Sequence, residues 1–160
     1  MVHMGFMTEH GIFLAVFGLL LTMACIGTAQ SGTGMAVRHL SFDSHNAALA
    51  VEIADTPQEI DTGLMGRTHL DENSGMLFDL GSVQTAHFYM YRTLIPLDAV
   101  FLDGDMKVVD IQTMTPCKSE NAKDCPWYNS RAPVRFVLEV NAGWAEKEGI
   151  AAGDTARLND

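Results

Sequence analysis

The stretch HFYMYRTLIPLD, His87 to Asp98, gathers the side chains best suited to chemistry in this chain. A histidine, two tyrosines, an arginine and an aspartate fall in one β-prone run. Alternation along a strand turns Phe88 and Met90 to one face and His87, Tyr89 and Tyr91 to the other. An aromatic-polar face of that kind stacks on sugar rings and other planar groups at low entropy cost. With Arg92, and with Trp127 and Tyr128 further on, it could line a groove for a glycan or a small polar organic ligand. The competing reading is a strand whose outward tyrosines cover the cysteine-bounded loop that follows. Asp98 enters the apolar run AVFL, and an unpaired carboxylate in a β core is costly. Arg67, which ends GLMGR, offers a bidentate partner. That pair would either fix a bend or supply an acid and a base to a pocket.

The constellations of the common hydrolases are missing. There is no GxSxG, and Ser74 has no flanking signature. Asp43, Asp98, Asp103 and Glu139 could supply an acid and base pair, but spacing places no two of them within reach. No glycine-rich phosphate cradle is present. His39, His45, His69 and His87 are scattered, with neither HxH nor HExxH. The 10 methionines would suit Cu(I). Yet Met65, Met76 and Met90 sit within apolar patterns, where methionine fills core. No cofactor and no metal site is therefore expected, and metal handling through Met and His stays a minor alternative.

The formal charge is −10, from 20 acidic and 10 basic residues, which disfavours nucleic acid and anionic lipid as partners. Gly11 to Ala29 carries no charged side chain and ends in small residues, the pattern of a secretory signal peptide. Residues 1–29 are read as that peptide, with cleavage before Gln30. The alternatives are a membrane tether and lipidation at Cys25. Export makes Cys117 and Cys125, in CKSENAKDC, most simply a disulfide. Closing so short a loop is worth roughly 2–3 kcal/mol in the chain-entropy model.

The elements that must position these residues are short. Residues 30–46 read as a flexible tether or a loosely attached strand. ALAVEIAD alternates at Leu49, Val51 and Ile53 as a strand. Thr56, Pro57 and Glu59 form a capping box at a helix start. SGMLFDLG reads as a strand, Pro96 breaks the strand holding His87, and DGD joins two β-rich runs with Gly104 as the left-handed turn residue. VRFVLEV aligns Val134, Phe136, Leu138 and Val140 on one side. Asn141 caps a short helix that Gly149 stops.

Four blocks, GLMGR (63–67), GMLF (75–78), FYMYRTLIPLD (88–98) and RFVLEVNAGWAEKEGIAAGD (135–154), resemble the domain-of-unknown-function family number 192. The resemblance runs from about Ala47 to the end. It implies a single, mainly β, jelly-roll-like domain and no agreed activity. The family's central block usually reads Phe-Trp-Met-Lys-Asn-Thr. Here Tyr89, Tyr91 and Arg92 replace its Trp, Lys and Asn, while Met90, Thr93, Pro96 and Asp98 match.

The expected molecule is a single domain, mainly β with short helices, a compact β-barrel or jelly-roll-like sandwich over residues 47–160. Its expected role is an exported, non-catalytic binding or envelope-accessory domain using Arg67, His87, Tyr89, Tyr91, Arg92 and Asp98. A small hydrolase using Asp98 and Arg67 is the alternative.

Overall fold

The computed structural model describes residues 34–159. The expected signal segment and Cys25 lie outside them. In chain order the elements are β1 (Val37–Phe42), β2 (Ala48–Ala54), α1 (Pro57–Thr62), β3 (Ser74–Gln84), β4 (His87–Tyr89), β5 (Leu97–Leu102), β6 (Val108–Met114), β7 (Trp127–Asn129), β8 (Val134–Asn141), α2 (Trp144–Glu148) and β9 (Ala156–Asn159). Seven strands form one sheet in the order β6-β5-β8-β3-β2-β1-β9, while β4 and β7 pair separately as a small ribbon. Only β2 and β3 run parallel, with α1 in the crossover between them. The large sheet curls into a half-barrel, and its ends approach where Val108 donates to Asp154 O and Ala156 donates to Met106 O. The fold is thus mainly β, one domain, with two short α-helices among the described residues.

Both faces of the sheet are covered. The first face gathers Leu40, Phe42, Leu49, Val51, Leu77, Val100, Leu138, Val140 and Trp144. The second gathers Met76, Phe78, Ala99, Phe101 and Val137 beneath Leu64, Leu70 and Met90. Strand β8, between β3 and β5, is therefore buried on both sides. Gly75 permits that packing, because a Cβ there would lie 2.7 Å from Glu139 O.

The local signals are realised with four differences. The capping box closes as expected, with Glu59 N donating to Thr56 Oγ1 and Thr56 N donating to Glu59 Oε2. The stretch expected to be a tether or a loosely attached strand contributes β1, firmly held because Leu40 and Phe42 alternate inward and β1 pairs with both β2 and β9. In the β5–β6 turn the left-handed residue is Met106 (φ 63°), not Gly104, because Asp103 Oδ1 accepts from the amides of Asp105 and Lys107 and sets a different turn. Asn141 does not cap α2: its side-chain amide donates to Leu70 O and Asp71 O. The strand holding His87 ends at Tyr89, and Arg92 takes φ 55° in the turn before Pro96.

Candidate functional site

Strand pairing places facing side chains on the same side of a sheet. Across the second face, Glu52 of β2, Met76 of β3, Glu139 of β8 and Ala99 of β5 form one row. Above Glu139 lies a cavity of about 420 Å³, walled by α1 and the loop after it, by β3, and by Gln84 to Tyr89. Its apolar wall includes Ile60, Leu64, Met65, Phe78 and Phe88. Its polar groups include Thr93 and Glu139, both buried, and the more exposed Asp61, Thr62, Gln84, Thr85, His87 and Tyr89.

Local structure explains the wall. Gly63 ends α1 at φ 46°, where a Cβ would press on the Phe78 ring at 3.2 Å. Phe88 points inward as alternation requires, edge-on to Phe78 at 5.1 Å and to Phe101 at 6.3 Å. Its neighbours His87 and Tyr89 face the other way. His87 Nδ1 lies 2.6 Å from Asn129 Oδ1 on the paired strand β7.

Glu139 is the chemically unusual group. It is 95% buried, at 5% exposure, and its carboxyl has no hydrogen-bond or ion-pair partner among the described residues. Burial alone pushes its pKa up to about 8, so at neutral pH it holds its proton. Thr93, 6% exposed, likewise has a side-chain hydroxyl with no partner among the described residues. Two polar groups thus border a mainly apolar cavity with their hydrogen-bonding capacity unspent.

A second surface adjoins the first through Tyr89. The Tyr89 ring lies 5.0 Å from Trp127 and 6.4 Å from Tyr91, nearly parallel to the latter at 21°. Arg92 sits 5.1 Å above the Tyr91 ring, a cation–π arrangement. Trp127 is 56% exposed, so this ladder of rings opens to water. Tyr91 also donates its hydroxyl to Glu120 O in the loop closed by the Cys117–Cys125 disulfide, whose Cα atoms are 5.6 Å apart. Tyr91 thus braces the disulfide loop, as one reading of the tyrosine face expected, while Trp127 beside Tyr89 stays exposed.

The expected pair of Arg67 and Asp98 does not form. Arg67 Nη2 donates to Glu52 Oε2 at 2.7 Å, on the second face. Asp98 points to the first face, where Oδ1 accepts from Thr113 Oγ1 at 2.7 Å and Oδ2 from the amides of Gly143 and Ala145. Asp98 is the cap of α2, supplied from a neighbouring strand. Strand alternation separates the two residues, since Asp98 shares its side with Val140 and Glu52 shares its side with Glu139. Neither Arg67 nor Asp98 lines the cavity. Of the residues singled out in the sequence, His87 and Tyr89 meet there, and Tyr91 and Arg92 extend from its rim. Glu139 figured only as one of several acids. Its signal was Val137, an apolar residue on the strand face that should otherwise be wet. No group of three or more metal-ligating side chains gathers among the described residues.

A family model, DUF192, described as an uncharacterized ACR, matches residues 39–158. Among solved structures, a candidate transcription regulator from Sinorhizobium meliloti 1021 is similar at 32% identity, with a TM-score of 0.70, over 78% of this chain and 95% of that one. A protein of unknown function from Novosphingobium aromaticivorans DSM 12444 is similar at 31% identity, with a TM-score of 0.71, over 79% and 89% of the two chains. No curated protein matches.

Proposed function

The chain belongs to the DUF192 family, and on that footing we propose that it is an exported, non-catalytic domain that holds a small organic ligand in the cavity between α1 and β4. One observation carries this reading: a buried carboxyl without a partner among the described residues borders a mainly apolar cavity. Apolar walls with a few convergent polar groups are the usual make-up of a small-molecule site. A cavity of about 420 Å³ suits a ligand of modest size. Export is supported by the disulfide and by the uncharged apolar run from Gly11 to Ala29. Catalysis has less to draw on. The expected acid and base, Asp98 and Arg67, are engaged elsewhere and lie on opposite faces of the sheet. The role described for the S. meliloti relative is not carried over, since 20 acids against 10 bases oppose contact with phosphate.

Ile60→Trp tests the reading. Ile60 is half-buried on the cavity wall, and the larger ring would fill the space from a helix that tolerates it. In a thermal-shift screen of small organic compounds, hits on the wild-type chain should vanish in this variant while its own Tm changes little. Hits that survive the plug would place binding elsewhere and sink the cavity reading. A second reading, a glycan lying on the ladder, is favoured by the exposure of Trp127. Oligosaccharide binding lost in Trp127→Ala but kept in Ile60→Trp would select it.

A further inference from the structure

We infer that the cavity takes an organic cation, a primary ammonium on an apolar or aromatic body, with Glu139 receiving the charge and Thr93 a further N–H. This rests on the cavity reading and names the ligand class for it. The argument is the asymmetry of the lining. Two carboxyls, Asp61 at the rim and Glu139 in the interior, border the space, and no lysine or arginine does. His87 and Tyr89 are the other titratable groups there. From the strands beside Glu139 its facing neighbours are Met76 and Ala99, which carry no charge; Glu52, paired with Arg67, lies one strand beyond Met76. Phe78, Phe88 and Tyr89 bring aromatic rings to the lining, and such rings attract a cation that reaches a face once water is excluded. An anionic ligand would face two carboxyls with no lysine or arginine to balance its charge. A neutral ligand could hydrogen-bond the protonated acid, but it would draw no proton from it and gain nothing from the second carboxyl at the rim.

The binding step has a proton in it. Glu139 is protonated in the empty cavity at neutral pH, because burial raises its pKa to about 8. An arriving ammonium favours the carboxylate, so the Glu139 proton leaves to solvent as the ion pair forms. The complex keeps the ligand's N–H bonds and loses one proton overall.

The probe is phenethylamine, with phenethyl alcohol as its uncharged counterpart, titrated calorimetrically into the full chain between pH 6 and pH 8. An alkylamine stays charged across that range. The expected result is that the amine binds more tightly than the alcohol. Its affinity should rise about tenfold from pH 6 to pH 7. The heat should shift between buffers of different ionisation enthalpy, as release of one proton requires. In Glu139→Gln the amine should bind at least about tenfold more weakly at pH 8, with the pH slope gone. If that variant does not fold, the wild-type slope and proton release decide alone. No binding of the amine, equal binding of amine and alcohol, or a slope that persists in Glu139→Gln would overturn the inference. Alcohol binding that Ile60→Trp abolishes would leave the cavity reading standing while the cation falls. Binding of either probe that ignores Ile60→Trp would bring down both.

Discussion

Two carboxyls lie one strand apart in the same sheet, on opposite faces, and both are almost fully buried: Asp98 is 2% exposed and Glu139 5%. Their surroundings could hardly differ more. Asp98 accepts three hydrogen bonds, two of them from the amides that open α2, and joins β5, β6 and that helix. Glu139 has none among the described residues, and open space lies above it. Burial alone therefore says little about what an acidic side chain is for. A carboxylate that completes a cap stabilises the fold. One left without partners destabilises it, and its presence calls for a reason outside the fold.

The sharpest way to break that contrast is to remove Asp98. Asp98→Ala discards the bond from Thr113, strands the buried amide of Ala145 and frees that of the exposed Gly143. The expected loss of stability is about 3–5 kcal/mol, by urea denaturation. A loss under about 1 kcal/mol would show that the two acids belong to one class after all.

Glu139 should act in the opposite direction, through pH. The unfolded chain releases this proton near the ordinary glutamate value of 4.5, whereas the folded chain holds it to about 8. Between those values the native state binds more protons than the unfolded one, so stability falls as pH rises, by on the order of 1 kcal/mol per unit. Groups with lowered values, such as Asp79 beside Arg135, work the other way. Their contribution is lost only as pH falls below the usual carboxylate range, outside this window. In Glu139→Gln the decline between pH 5 and pH 8 should largely disappear, and at pH 8 the variant should unfold at higher urea than wild type. An unchanged slope would mean that the carboxyl finds a partner in solution.

The contrast also explains what the sequence did and did not reveal. The capping box at Thr56, the strand of Ala48 to Ala54 and the inward Phe88 were all legible, because they depend on neighbours within a turn or a strand. So was the wet side of His87 and Tyr89. The partner of Asp98 was not, because the choice between Arg67 and the amides of α2 is made by strand order and register, which alternation within one segment does not set. Glu139 was hidden for a related reason. VRFVLEV reads as half-buried, and only the covering of its other face by α1, Leu64 and the β4 segment turns a surface acid into an interior one. The β1 strand was open only as an alternative to a tether, because polar residues and glycine ahead of it mask the inward pair Leu40 and Phe42.

The smallest expected effect separates the two faces most finely. Each acid has a threonine near it. Thr113 donates to Asp98, so Thr113→Val should cost about 0.5–1.5 kcal/mol, the net worth of one hydrogen bond whose loss also weakens the α2 cap. Thr93 lines the same cavity as Glu139, and its hydroxyl donates to nothing among the described residues. Replacing its hydroxyl by a methyl gives up no internal bond, so Thr93→Val should leave stability within about 0.5 kcal/mol of wild type. The same change should weaken phenethylamine binding several-fold, since the ligand loses its second acceptor. A variant neutral for folding yet impaired for binding is what a site group yields and a scaffold group does not. Were Thr93→Val as costly to the fold as Thr113→Val, with ligand affinity untouched, the hydroxyl would be part of the scaffold and the case for a polar cavity floor would rest on Glu139 alone.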